Sequence, residues 1–307
     1  MLSAGAGFWS IGRSAAARSR RCRGRGNFGA GSIGARPAPT PCRGVAPTGT
    51  EHRLAIVHFP LKLVARRMVA PTVAHLSFVR DDGLPLDFIP GQFLQVHFPL
   101  ADGSQARRSY SLATRHERPL EAGDAVEIAV SYVPGGAATA LFEGMPLGGT
   151  VDGSGPFGRF CLLPNDANRR YLLIGTGTGI TPYRAMLPQL AALMAARGLE
   201  VVLLQGARTP EELLYGDEFR AFAEAHPGFR YIPCFSRTLP ADGSPQAHAD
   251  VRHGYVQNAL AELAPDPAGD IAYLCGNPHM VDACFEALKA AGLPIPQIRR
   301  EKYVSNK

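Results

Sequence analysis

After Asn165-Asp166-Ala167-Asn168 the sequence changes rhythm, and that change limits the folds open to it. Apolar runs at 171–174, 200–205, 229–235 and 271–275 alternate with stretches of helical spacing near 182–197, 215–225, 254–264 and 278–291. Such alternation predicts βαβ units and a parallel sheet. Ligands of these sheets bind at the carboxyl ends of the strands. One such end carries Gly175-Thr176-Gly177-Thr178-Gly179-Ile180-Thr181-Pro182, and another carries Cys275-Gly276-Asn277-Pro278.

In the first of these, Gly175, Gly177 and Gly179 permit positive φ and leave no Cβ between backbone and ligand. Thr181 reads as an N-cap and Pro182 as the first helical residue. A strand, a glycine turn and a helix N-terminus present free N–H groups and a positive dipole end to an anion. The spacing is G-x-G-x-G, not the G-x-G-x-x-G of the dinucleotide fingerprint. A phosphate site and a merely tight strand–helix turn therefore both remain open.

Residues 55 to 160 follow another pattern. Short runs at Val73–Val79, Phe93–Phe98, Arg108–Ala113 and Val126–Val133 are broken by Asp81-Asp82-Gly83, Pro90-Gly91 and Ala101-Asp102-Gly103, which predicts an antiparallel barrel or sandwich. The expected organisation is a tail over 1–50, an antiparallel β-barrel domain over 55–165 and an α/β parallel-sheet domain over 168–307. Within the barrel, residues 107 to 114 read RRSYSLAT; in a strand Arg108 and Tyr110 share one face, Ser109 and Ser111 the other. Alone, this could be an ordinary barrel strand.

Charge narrows the function classes. The 307 residues carry a formal +6, but residues 1–50 hold eight arginines and no acid, which leaves −2 for residues 51–307. The basic character belongs to the tail, so a nucleic-acid reading of the whole protein is weak. The tail lacks apolar periodicity and is expected to be disordered. Its composition fits an organelle transit peptide, an RNA-binding arm, or sequence upstream of a start such as Met68, although that start would clip an N-terminal strand. Hydrophobic content of 46% and the lack of a membrane-length apolar run indicate a globular protein expected in the cytoplasm, with organelle import as the alternative. Six cysteines at 22, 42, 161, 234, 275 and 284 show no C-x-x-C or iron–sulfur spacing, and the nine histidines no ligand pattern, so no metal site is expected.

Taken in chain order, Arg108-Ser109-Tyr110-Ser111, Gly136-Ala137-Ala138-Thr139, the GTGTGITP turn and Cys275-Gly276-Asn277-Pro278 resemble the ferredoxin–NADP⁺ reductase family, of the bacterial ferredoxin/flavodoxin type. The likeness covers roughly residues 65 to 303. It implies a flavin-binding barrel followed by a nucleotide-binding α/β domain. Arg108 would pair with the FAD pyrophosphate, a task suited to a planar cationic fork. Tyr110 would lie against the isoalloxazine ring and Ser111 near its N5, with Ser109 and Leu112 in the same segment. Gly136, Ala137, Ala138 and Thr139 would supply N–H groups and a hydroxyl to the pyrophosphate; without the resemblance they read as an ordinary loop-to-helix cap.

The same resemblance gives the glycine turn to NADPH, with Gly177, Gly179 and Thr181 in its phosphate cradle and Thr178 near the nicotinamide. Cys275, beside Gly276, would sit by the reacting carbon; otherwise it is a buried core thiol. Arg208, Ser236 and Arg237 match positions that grip the 2′-phosphate, and Tyr255 matches another; each arginine alone could be a solvated surface charge. Near the C-terminus, Glu301 resembles a carboxylate by the nicotinamide and Tyr303 the aromatic stacked on the flavin. Where some bacterial relatives place a Trp under the FAD adenosine, this chain has Val304, leaving Ser305 to Lys307 for that role. The implied reaction moves a hydride between NADPH and FAD and single electrons between FAD and a separate ferredoxin or flavodoxin, in a monomer without a membrane or nucleic-acid partner. The alternatives are a flavin or quinone reductase, an oxygenase reductase component, or a non-enzymatic nucleic-acid binder acting through the arginine tail.

Overall fold

The computed structural model describes residues 57–304, and the expectations for residues 1–50 and for Ser305 to Lys307 lie outside them. The first sheet is antiparallel. Its strands are β1 (His58–Ala70), β2 (Val73–Arg80), β3 (Phe93–Pro99), β4 (Gln105–Ser111), β5 (Val126–Ser131) and β6 (Thr150–Phe157). They lie in the order β4-β3-β6-β1-β2-β5. The two end strands meet where Leu112 bridges Ile128, which closes the sheet into a barrel. That bridge also explains a shifted boundary. The strand expected over Arg108–Ala113 ends at Ser111, because Leu112 donates back to Gln92 and Ala113 crosses to Glu127 of β5. Alternate residues such as Phe59, Leu61, Leu63, Leu94 and Val96 fill the barrel interior together with Phe142 from α1 (Ala137–Gly144). Met68 lies near the end of β1, opposite Ala74 of β2, so a chain begun there would lack most of the strand that joins β2 to β6.

The second sheet is parallel. Strands β7 (Arg170–Thr176), β8 (Glu200–Ala207), β9 (Phe229–Phe235), β10 (Arg252–His253), β11 (Asp270–Gly276) and β12 (Ile298–Lys302) run in the order β10-β9-β8-β7-β11-β12. Helices α2 (Thr181–Arg197), α3 (Gly216–Ala225), α4 (Val256–Glu262) and α5 (Pro278–Ala290) connect them. Covered on both faces, β7 and β11 carry unbroken apolar interiors, as a parallel sheet requires. The chain leaves β7 toward β8 and returns on the other side as β11. The order thus reverses between β7 and β11, and the crevice beyond their carboxyl ends is where such sheets bind ligands.

Two helix starts differ from expectation. Thr181 is not the N-cap of α2: Gly177–Ile180 forms a 3₁₀ turn that runs straight into the helix, so Thr181 is already helical. Helix α4 begins only after Tyr255, since Gly254 takes φ +115° and Tyr255 stays extended. Among the described residues no helix is long and apolar enough to cross a membrane.

Candidate active site

The cleft between the two sheets is assembled from their strand ends. On the barrel side, Ser111 closes β4 and is buried, whereas Tyr110 lies edge-on to Phe142 of α1, with ring centroids 5.7 Å apart. Arg108 stands opposite Val96 on the face it shares with Tyr110. Its guanidinium donates to the Arg107 carbonyl and makes no ion pair among the described residues. Ser109 faces outward beside Gln95 and Leu112 is fully buried, so these two sit on either side of the segment.

Helix α1 starts at Ala137 with Gly136 extended as its N-cap. The first N–H groups of a helix have no intrahelical partner, so Ala137 and Ala138 present donors there. Thr139 is partly committed: its hydroxyl oxygen accepts the Val133 N–H at 2.8 Å, leaving its proton free to point elsewhere. A Cβ at Gly136 would crowd the Val133 carbonyl at 3.0 Å, so this glycine is needed to close the loop.

On the parallel side the three glycines of the turn have different reasons. Only Gly177 has positive φ, +54°, and a Cβ there would meet nothing within 4 Å. Gly175 packs within the domain, where a Cβ would meet Tyr183 at 3.0 Å. Gly179 lies against the end of β11, and a Cβ would overlap the Cys275 carbonyl oxygen. Reciprocally, Gly276 takes φ +122° with the Thr176 carbonyl 2.5 Å from where its Cβ would be. Of the three turn glycines, only Gly177 therefore leaves bare backbone facing open space; the other two serve main-chain packing. The Asn277 N–H reaches the Thr176 hydroxyl at 3.2 Å, fastening the two turns together. Thr178 follows Gly177 in the 3₁₀ turn, whereas the Thr181 side chain is buried with its hydroxyl unpartnered among the described residues.

Strand β12 carries the last group. Glu301 pairs in register with Cys275 of β11, and the Tyr303 N–H donates to the Gly276 carbonyl at 2.8 Å. The Tyr303 hydroxyl hydrogen-bonds Ser111 across the cleft and lies within reach of the Cys275 thiol. Burial pushes the Cys275 thiol well up, and nearby Glu301 adds to it, so the sulfur is a thiol rather than a thiolate. Burial also raises the Glu301 carboxyl to about 7. Ser111, Cys275, Glu301 and Tyr303 thus come together from two sheets and three strand ends. Val304 beyond them is exposed.

The outer strand ends bring Arg208, Ser236 and Arg237 side by side, because Ser236 donates to Ala207 and Arg237 to Arg208, each at 3.0 Å. The two arginines are not equivalent. Arg208 forks onto Glu212, with Nε–Oε2 at 2.8 Å and Nη2–Oε1 at 2.5 Å, whereas Arg237 makes no ion pair among the described residues. Tyr255 stands exposed at the start of α4. Glu212 was missed because Arg208 and Glu212 are not on one helix, where a four-residue spacing would signal a pair, but are joined by a loop and a short 3₁₀ turn.

Sequence reasoning also missed a polar cluster joining the two halves. Arg184 of α2 donates to the Ala113 carbonyl, to Glu127 of β5 and to Glu218 of α3, each at 2.7 Å. His75 of β2 meets Tyr215 at 2.8 Å and Glu127 at 3.3 Å. No local pattern marks these residues, which lie far apart in the chain.

The donor set fits two phosphorylated ligands. Open N–H groups at Gly177 and at the start of α1, an unpaired Arg108 and an orphaned Thr181 hydroxyl are groups that an anionic ligand would satisfy.

Comparison with known proteins agrees. Residues 60–161 match a family model described as an oxidoreductase FAD-binding domain, and residues 173–286 one described as an oxidoreductase NAD-binding domain. Ferredoxin–NADP reductase B of Sorangium cellulosum is 32% identical over 80% of this chain and 97% of its own. The reductase subunit of an Amycolatopsis aromatic O-demethylase is 36% identical over 71% of this chain, and the reductase component of Rhodococcus jostii propane 2-monooxygenase 32% identical over 71%. The chain spans only 62% and 56% of those two relatives. A Neisseria gonorrhoeae ferredoxin NADP⁺ reductase, solved with FAD and NADP bound, shares the fold with a TM-score of 0.65 at 23% identity, covering 80% of this chain and 98% of that one.

Proposed function

The chain belongs to the ferredoxin–NADP⁺ reductase family, with FAD-binding and NAD(P)-binding domains, and on that premise we propose that it oxidises NADPH and passes single electrons to a ferredoxin or flavodoxin. The observation that carries the reading is the meeting of Ser111 and Tyr303, from the barrel and from the parallel sheet, in hydrogen-bond contact beside Cys275 and Glu301. We assign residues 55–165 to the FAD module and 168–307 to the coenzyme module.

Bound FAD supplies a ring that accepts a hydride and returns the electrons one at a time. The residues do the positioning. Arg108 and the N–H groups of Ala137 to Thr139, in the loop that Gly136 closes, hold the FAD pyrophosphate, while Tyr110 and Tyr303 offer aromatic faces to the ring. Ser111 holds a hydroxyl at the end of β4, where it orders whatever lies beside Tyr303. The bare backbone at Gly177 and the unpartnered Thr181 hydroxyl take the coenzyme phosphates, and Arg237, then Arg208, take the 2′-phosphate with Ser236 and Tyr255. Cys275 is small, neutral and buried, so it packs beside the reacting carbon without competing as a nucleophile. Glu301 keeps a proton near neutrality and can hydrogen-bond an amide at the cleft. Tyr303 hangs from the last β12 contact and moves aside to admit the nicotinamide, a gating step of the lid type.

A second reading, an electron donor to an oxygenase component, draws support from the O-demethylase and propane monooxygenase relatives. Purified protein incubated with FAD is expected to be yellow and to bleach anaerobically with NADPH at lower concentration than with NADH. Protein that stays colourless overturns the flavoprotein reading. Cytochrome c reduction that rises on adding ferredoxin or flavodoxin supports the first acceptor class. A rate unmoved by either turns the assignment to an oxygenase component.

A further inference from the structure

Away from the cleft, three side chains converge on the outer face of the barrel. Strands β3, β6 and β1 are neighbours, and their register sets His97 opposite Asp152 and His58 opposite Ser154. The intervening Phe59, Val96 and Val151 point into the core, so His58, His97 and Asp152 all project on the same side. His58 Nδ1 lies 2.9 Å from Asp152 Oδ2, and the two imidazole rings are 5.0 Å apart. One donor atom from each of the three residues falls within 4.8 Å of the others. The fully buried Ser154 hydroxyl meets His97 Nε2 at 2.7 Å and holds that ring from below. A cleft of about 280 Å³, lined by His58, Asp152 and the neighbouring Phe59, Pro60, Thr150 and Val151, opens beside the cluster.

We propose that His58, His97 and Asp152 form a binding site for one divalent transition ion of borderline softness, zinc in the first instance. Two imidazole nitrogens and a carboxylate oxygen suit that class of ion better than magnesium or calcium, which favour all-oxygen shells. Tetrahedral zinc, with bonds of about 2.0–2.1 Å, sets its ligand atoms roughly 3.4 Å apart. Small side-chain rotations close the remaining gap, since the strands already fix all three backbones. The 280 Å³ cleft admits the water that completes the shell. Exposure of His58 and Asp152, with His97 half-buried, leaves the ion open to exchange. The ion clips the start of β1, which at His58 pairs only with β6, to both β6 and β3. The site is independent of the flavin and coenzyme residues.

The test uses the full FAD-loaded chain, stripped with chelator and desalted. Titration with zinc chloride by calorimetry is expected to show one tight equivalent and a raised thermal midpoint. Cobalt chloride is expected to give tetrahedral d–d absorption to the red of the flavin bands. Loss of an outer-shell contact alone costs about 10- to 100-fold in metal affinity. His58→Ala, His97→Ala and Asp152→Asn should therefore each weaken binding at least ~10-fold and abolish the cobalt band, whereas His279→Ala on α5 changes neither. All three variants should keep NADPH–ferricyanide turnover, which shows that they fold. Zinc affinity unchanged in the three variants, or cobalt that stays octahedral with wild-type protein, overturns the proposal.

Discussion

The Arg184 guanidinium on α2 reaches the Glu127 carboxylate on β5 at 2.7 Å, tying the parallel-sheet half to the barrel. The same guanidinium takes Glu218 on its other edge and lies 5.0 Å from the centre of the Tyr215 ring. One mostly buried cation therefore serves two carboxylates and a carbonyl.

Removing it leaves those acids uncompensated. Breaking a buried pair by losing one partner costs about 3–5 kcal/mol, so Arg184→Met is expected to lower the urea midpoint sharply. Glu127→Gln should cost much less in the Arg184→Met background than in wild type. Equal costs in both backgrounds would remove the coupling. Burial works to raise the Glu127 carboxyl, but the His75 hydrogen bond and the Arg184 charge outweigh it and hold it at about 2 against an ordinary 4.5. A depressed folded value means that this stabilisation is complete above about pH 4.5 and is lost as pH falls toward 2. Acid unfolding of Glu127→Gln should lack that segment of the pH dependence.

Glu301 has the opposite sign. Burial raises its carboxyl from 4.5 to about 7, so the folded chain holds a proton that the unfolded chain has released. Stability from this group accordingly falls as pH climbs from about 4.5 through 7. The thermal midpoint of Glu301→Gln should match wild type below pH 4.5 and exceed it above pH 7. The rate of NADPH oxidation should inflect near pH 7 in wild type and not in the variant. An inflection that persists in Glu301→Gln assigns it to another group.

Coenzyme choice separates the two arginines. Arg237 is unpaired among the described residues, while Arg208 must first leave Glu212. Charge-assisted hydrogen bonds contribute roughly 1.5–3 kcal/mol, or about 10- to 100-fold. Arg237→Ala should raise the NADPH KM by that order and spare NADH. Arg208→Ala should do the same more weakly, and Glu212→Gln should lower the NADPH KM by freeing Arg208. Equal effects on both coenzymes would contradict the 2′-phosphate assignment.

The glycines of the turn give a packing test. Gly179→Ala and Gly276→Ala each drive a methyl group into backbone of the neighbouring strand end, which cannot yield as a side chain would. Both should lower the thermal midpoint and coenzyme affinity together. Gly177→Ala meets no atom and bears only the left-handed backbone, about 1–2 kcal/mol. A Gly179→Ala protein as stable as Gly177→Ala would refute the close approach of the glycine turn to the end of β11.

Local pattern alone was enough to predict the two-part architecture. Alternating apolar residues and turn punctuation mark β2, β3 and β5, and apolar runs divided by amphipathic stretches mark β7, β8, β9 and β11, because periodicity reflects which faces are buried. Strand β6 reads TVDGSGPF, with the Gly and Pro of a loop, yet Gly153 is there because Leu61 fills the space of its side chain. Strand β12 is largely charged and becomes a strand only by pairing with the already formed β11. Of the motif residues, Gly177 was legible from the local chemistry of a glycine turn at a strand end, whereas Arg108, Ser111, Cys275 and Tyr303 stood out only through the family resemblance that the ordered motifs carry. Only the tertiary structure decided that Tyr303 meets Ser111, that Gly179 and Gly276 each lie against the facing turn's backbone, and that Arg208 is already held by Glu212. It also set His58, His97 and Asp152 on one face. The reason is physical. Sequence spacing reports the neighbours along one strand or helix, whereas contacts between strand ends depend on sheet order and register, which arise only when distant segments bury their apolar faces together.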